Sequence, residues 1–148
     1  GREHLAELGA LATLNANYVQ EALRADYRLP IAGRCMHECV FDGLANAPDG
    51  FTTLDVAKRL LDFGMHAPTI YFPLLFREAL MIEPTETESK QTLDLFIEAM
   101  REIAREAREH PERLHEAPRT TPVRRIDEVY AARKMLLTYK DTLAAGSG

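Results

Sequence analysis

Hydrophobic positions along the chain recur with two periods, and the switches between them mark out the elements. Over residues 3–25, Leu5, Leu8, Ala12, Val19 and Leu23 share one stripe at ~100° per residue, with Glu3, Glu7 and Glu21 opposite. The spacing predicts a first helix there. Asn15 falls in the middle of the stripe. A buried amide without a partner costs roughly 1–3 kcal/mol, so Asn15 is expected to tie the helix to neighbouring backbone. Leu14 and Asn17 point away from the stripe, so a second face of this helix is expected to meet something.

Pro30 ends the linker that follows, and period two over 34–41 predicts a strand. Its alternation puts Cys35, His37, Cys39 and Phe41 on one face, and Met36, Glu38 and Val40 on the other. Ala47-Pro48-Asp49-Gly50 is a turn signal. A second helix is predicted to start at Thr52 or Thr53, whose hydroxyl can cap free N–H groups. Its apolar face is Val56, Ala57, Leu60, Leu61 and Phe63, and Gly64 suits the left-handed position after its end. Two short apolar runs, 69–72 and 79–82, read as strands joined by a loop, and Glu83-Pro84 closes the second.

Thr85-x-x-Glu88 reads as a capping box for a third helix that carries Leu93, Phe96, Ile97, Met100, Ile103, Ala104 and Ala107 up to Pro111. Arg105 and Glu109 can pair on its solvent side. Residues 112–125 are predicted to be an extended connector interrupted by Pro118 and Pro122. A last helix is expected over 127–140, and a disordered tail over 143–148. The order of elements predicts a single α+β domain, with a small antiparallel or mixed sheet of about three strands and helices on one face.

Composition adds exclusions. Of 148 residues, 46% are apolar and 28% charged, the range of a water-soluble globular domain. The net charge of −5 and the lack of a long basic run argue against nucleic-acid binding, which depends on phosphate neutralisation. No apolar stretch approaches the ~20 residues that span a bilayer, and no signal-peptide pattern opens the chain, so a cytoplasmic location is expected. Cys35 and Cys39, four strand residues apart, would lie roughly 13 Å from one another, beyond disulfide reach.

Candidate chemistry is sparse. His66 follows the helix-ending glycine in Asp62-Phe63-Gly64-Met65-His66-Ala67-Pro68-Thr69, where its ring can meet a ligand at the sheet edge or simply complement the helix dipole. His37 lies between the two cysteines on one strand face, with Arg34 and Glu38 as polar neighbours. Side chains two apart on a strand sit ~6.5 Å apart, which is poor geometry for one ion, so no metal site is expected. The cluster Arg119, Arg124, Arg125, Arg133 and Lys134 reads as a solvated or subunit-facing surface. No phosphate loop or Ser/His/Asp constellation is present.

Several blocks carry a resemblance. They are Ala12-Thr13-Leu14-Asn15-Ala16-Asn17-Tyr18, Met36-His37-Glu38, the run 55–69 ending His66-Ala67-Pro68-Thr69, and the run 80–90 with Met81-Ile82-Glu83-Pro84-Thr85-Glu86. With Thr121-Pro122-Val123-Arg124-Arg125-Ile126-Asp127-Glu128, they resemble, in order, the second subunit of the glycine dehydrogenase (decarboxylating) family, the P-protein of the glycine cleavage system. Family motifs often have phenylalanine where Cys39 stands.

The resemblance implies the C-terminal small domain of a fold-type-I pyridoxal-phosphate enzyme. In that family pyridoxal phosphate is the electron sink for glycine decarboxylation, and the aminomethyl group passes to the lipoyl arm of the H-protein. The implied partners are P-protein subunit 1, the upstream large domain, the lipoylated H-protein and the substrate glycine. The family's cofactor lysine lies in a Ser-His-x-Asn-x-His-Lys-like motif that is absent here, so this chain alone is expected to bind no cofactor covalently and to be inactive. By position, the resemblance implies substrate-side roles for His37 and His66, supported by Thr69 and Arg34. The small domain of another fold-type-I pyridoxal-phosphate transferase and a non-catalytic binding or interaction module are the alternative readings.

Overall fold

The computed structural model describes residues 1–48 and 50–145. A 3₁₀ turn, Arg2–His4, leads into α1, Leu5–Leu23. Then follow β1 (Cys39–Asp42), α2 (Thr53–Asp62), β2 (Thr69–Ile70), β3 (Ala79–Ile82) and α3 (Lys90–Glu109). Three short helices, α4 (Pro111–His115), α5 (Glu128–Arg133) and α6 (Tyr139–Ala145), complete the described chain. The three strands form one antiparallel sheet in the order β1-β3-β2. This is the expected α+β architecture.

Pairing of Cys39 with Ile82 and of Phe41 with Leu80 places these four side chains, with Ile70 opposite Leu80, on the inner face. That face packs on Val19 and Leu23 of α1, Leu60 of α2 and Met100 and Ile103 of α3. Tyr27 is buried among them, and its hydroxyl donates to the Met100 carbonyl at 2.8 Å. The outer face carries Val40, Met81 and the exposed Thr69. Helices therefore cover one face only. Asn15 does tie α1 to other backbone, its amide donating to the Thr85 carbonyl at 2.9 Å.

The predicted strand over 34–41 shrinks to Cys39–Asp42. Two amides of α1 compete for the earlier backbone: Asn17 donates to the Cys35 carbonyl at 2.8 Å and accepts from its N–H at 3.1 Å. Gln20 donates to the Gly33 carbonyl at 2.8 Å. Residues 33–38 bend, and the predicted common face of Cys35, His37 and Cys39 breaks up. Cys39 is buried, whereas His37 is exposed. The strand predicted over 69–72 stops at Ile70 because Tyr71 adopts φ 58°, a left-handed conformation that no strand continues.

The capping box at Thr85 does not form. Thr85 begins a turn that accepts from Glu88 N–H, and α3 is instead capped by Ser89, whose hydroxyl accepts from Thr92 N–H at 3.1 Å. The extended connector over 112–125 is corrected at its start: Pro111 opens α4 rather than only ending α3. Proline's fixed φ and missing N–H suit a first helical turn, and burial of Leu114 holds that helix down. The last helix, predicted over 127–140, divides into α5 and α6 around 134–138. Neither buries a side chain among the described residues, and isolated segments this short are marginal helices. The tail expected at 143–148 continues α6 as far as Ala145, and 146–148 lie outside the described residues.

Candidate functional site

Helix α2 begins and ends by local chemistry that leaves little freedom to the segment after it. Thr52 accepts from Asp55 N–H, and Asp55 accepts from Thr52 N–H at 2.8 Å, a complete capping box. At the other end Gly64, at φ 71°, donates to the Leu61 carbonyl at 3.0 Å while Met65 donates to Leu60 at 3.1 Å. This pair of bonds is the Schellman termination, and it needs the glycine because a side chain disfavours that φ. Met65 packs against the core and His66 turns outward, exposed.

His66 stands at the wall of a cavity of about 420 Å³. The segment from Gly64 to Thr69 forms one side, the end of β3 from Met81 to Pro84 another, and Glu88, Thr92 and Phe96 the third. Val19 and Leu93 floor it with apolar surface. A volume in this range and a mostly apolar lining with a few polar groups are the usual properties of a small-ligand site.

The structure brings three of the four sequence-predicted residues to this end of the sheet. His66 and Thr69 line the cavity directly. His37 reaches it at one remove: its Nε2 lies 3.9 Å from Glu83 Oε1, and Glu83 is in the wall. The sheet ends at the pair of Cys39 with Ile82, and the bend of residues 33–38 beyond it brings His37 back beside Glu83. Arg34 is exposed, does not line the cavity, and has no hydrogen bond or ion pair among the described residues.

Sequence reasoning misses Gln20, an ordinary polar helix position, and takes Glu83 as the close of a strand rather than a wall residue. Asn17 lies on the helix face expected to meet something, and with Gln20 it pins the loop that presents His37. The cysteines contribute no reactive group here. Burial pushes the Cys39 thiol up to about 12 and also raises Cys35, so both stay protonated near neutrality. No cluster of three or more metal-type ligands occurs among the described residues.

A second cavity, of about 450 Å³, lies at the opposite end of the sheet beside Arg28, Asp42, Gly43, Phe51, Arg77 and Glu78. Its carboxylates are spent on backbone: Asp42 accepts from Glu78 N–H at 2.9 Å, and Glu78 accepts from Thr53 N–H at 2.7 Å. These bonds fasten β1, β3 and α2 to one another, a structural role.

Comparison with known proteins agrees with the ordered motifs. The family described as glycine dehydrogenase, C-terminal domain, matches residues 9–123. A probable glycine dehydrogenase (decarboxylating) subunit 2 of Caldanaerobacter subterraneus subsp. tengcongensis is 56% identical over 139 residues, 94% of this chain and 29% of its own length. Proteins of the same description from Shouchella clausii and Bacillus velezensis are each 55% identical, over 95% and 97% of the chain. The chain spans less than a third of the length of these relatives, 28% and 29% for the latter two. It belongs to the glycine dehydrogenase C-terminal domain family.

Proposed function

We propose that this chain is the part of a glycine decarboxylase that walls the substrate side of the active site and the entrance for the lipoyl arm. The whole enzyme would decarboxylate glycine and pass the aminomethyl group to the lipoylated H-protein in the cytoplasm, together with P-protein subunit 1 and the upstream large domain. The observation that carries this reading is the cavity flanked by His66 and Thr69, with His37 Nε2 3.9 Å from Glu83 in its wall. Among the described residues no helix is long and apolar enough to cross a membrane.

Pyridoxal phosphate, when bound to the enzyme, supplies the electron sink for carbon dioxide loss. The lysines of this chain do not fit the task of attaching it. Lys58 pairs with Glu128 at 3.5 Å, Lys90 with Asp94 at 2.7 Å, and Lys134 sits over the Tyr130 ring. Lys140 is exposed, and among the described residues no lysine lines either cavity. Attachment is therefore assigned to the rest of the enzyme, and this chain's part is polar positioning and exclusion of water. His66 and Thr69 offer hydrogen bonds to a small polar substrate or to the arriving acceptor, and the apolar floor of Val19 and Leu93 limits the space left for solvent.

The reading is tested in the full-length subunit assembled with its companion subunit and H-protein, by glycine–bicarbonate carboxyl exchange. His66→Ala is expected to lower exchange at least tenfold with an unchanged melting temperature, and His37→Ala to lower it less. Exchange at the wild-type level in both variants would sink the proposal.

A further inference from the structure

The two cavities use their carboxylates in opposite ways. In the one beside Arg28, Asp42 and Glu78 each accept from a backbone N–H. In the one beside His66 the carboxylates are Glu83 and Glu88, and neither accepts a hydrogen bond among the described residues. Glu83 has only the His37 ring near it, at 3.9 Å.

The turn that carries these two side chains is nonetheless held in place. Pro84 is buried, and Glu88 N–H donates to the Thr85 carbonyl at 3.2 Å. The Asn15 amide reaches across from α1 and donates to the carbonyls of Thr85 and Glu88 at 2.9 and 3.5 Å. β3 enters the turn at one end and the Ser89 cap of α3 closes it at the other.

Positive charge is kept away from the same wall. Neither arginine nor lysine lines the cavity among the described residues. Lys90, just past Glu88, donates to Asp94 at 2.7 Å and lies 5.3 Å from the centre of the Tyr18 ring. A carboxylate guest would therefore meet two like charges and no partner, whereas an ammonium group would meet two partners. Size points the same way. Glycine, at the ~30 Å³ of a water for each heavy atom, fills roughly 150 Å³. The cavity holds about 420 Å³, and Val19, Met65, Met81, Leu93 and Phe96 line it with surface that suits an aliphatic chain.

We propose that Glu83 and Glu88 set the specificity of this cavity: it takes an aliphatic chain ending in a cationic amine and rejects the carboxylate of the substrate. This rests on the functional reading above, in which an aminomethyl group passes to the end of a long acceptor arm. That product, an amine on an aliphatic chain, has the matching chemistry. A lysine side chain from the rest of the enzyme has it too, and the test separates the two sources.

The test uses the full-length subunit assembled with its companion, without glycine or H-protein, and follows binding by calorimetry. The probes are dimethylhexylamine, a tertiary amine that cannot condense with a carbonyl, and hexanoate. The amine is expected to bind at least tenfold more tightly than hexanoate. Glu83→Gln and Glu88→Gln should each weaken the amine about tenfold at an unchanged melting temperature. If a resident lysine already fills the cavity, neither probe binds. One lysine outside this chain should then become more reactive toward acetylation in both variants, which supports the specificity and identifies the guest as resident. Hexanoate binding as tightly as the amine overturns the proposal. So does amine binding indifferent to both substitutions, or no binding together with unchanged lysine reactivity. Binding is read without turnover, so wild-type carboxyl exchange in His66→Ala would count against the functional reading alone.

Discussion

Glu106 is 1% exposed yet bears a charge, because two guanidinium groups meet it inside the fold. Arg59 donates to both its oxygens at 2.8 and 2.9 Å, and Arg113 adds a bond at 3.0 Å. Burial alone pushes this carboxyl up, but the bonds from Arg59 and Arg113 outweigh it and hold it below the usual carboxylate range. Asp62 follows the same pattern. Burial opposes the charge, and the Thr120 and Arg119 N–H groups, at 2.8 and 2.6 Å, more than offset it. Each folded-state pKa lies below its unfolded value, so the stability they contribute is complete above about pH 4.3 and is lost as pH falls through the folded values. Acid unfolding followed by circular dichroism should therefore set in below about pH 4.3 and become shallower in Glu106→Gln. Removing the carboxyl outright, in Glu106→Ala, leaves Arg59 short of its main partner and is expected to cost about 3–5 kcal/mol in urea denaturation. A loss under 1 kcal/mol would mean that the triad is not the clasp between α2, α3 and α4 that its geometry describes.

Elements were legible in the sequence where local chemistry and burial agree. The helix over α2 was readable from its apolar face, from threonine at its start and from Gly64 at its end, because capping and termination are decided within a few residues. Ala79–Ile82 was readable as a buried apolar run closed by a proline. The segment before β1 was not, because its alternation is overridden from elsewhere in the chain: Asn17 and Gln20 reach across from α1 and take the carbonyls of Cys35 and Gly33. Half of the candidate site followed from the same rule. His66 could be placed by the helix stop beside it, whereas the approach of His37 to the cavity depends on the bend of residues 33–38 and on Glu83, neither of which spacing displays. Asn17 should then control the His37 loop. Asn17→Ala removes both bonds to Cys35 and is expected to cost roughly 1–3 kcal/mol. Native-state hydrogen exchange supplies the sharper measure: the Cys35 amide should exchange much faster in the variant while Tyr27, in the core, keeps its protection. Equal protection at Cys35 in both proteins would show that the loop is held by something other than this clamp.

At the scale of the whole molecule, α1 is two different helices joined end to end. Its second half, with Ala16, Val19 and Leu23, is buried against the sheet and α3. Its first half presents Leu5, Leu8, Leu11 and Leu14, between 40% and 63% exposed, in a segment with no buried residue before Ala16. The chain spans about 29% of the length of relatives more than half identical to it, and in proteins of that length there is ample chain to cover such a ridge. Taken alone, the ridge can escape water only against another copy. Exposed leucines at every third position wind part-way round the helix, and so much apolar surface on one segment of a monomer marks an association surface. The 148-residue polypeptide is therefore expected to self-associate with rising concentration, and sedimentation velocity should resolve species larger than the monomer. Leu8→Lys combined with Leu11→Lys should return it to a monomer with little change in melting temperature, because neither side chain is buried. If the variant associates as strongly as the wild type, the leucine ridge is not the sticky face. If instead it unfolds, the first half of α1 supports the domain in a way its exposure does not reveal.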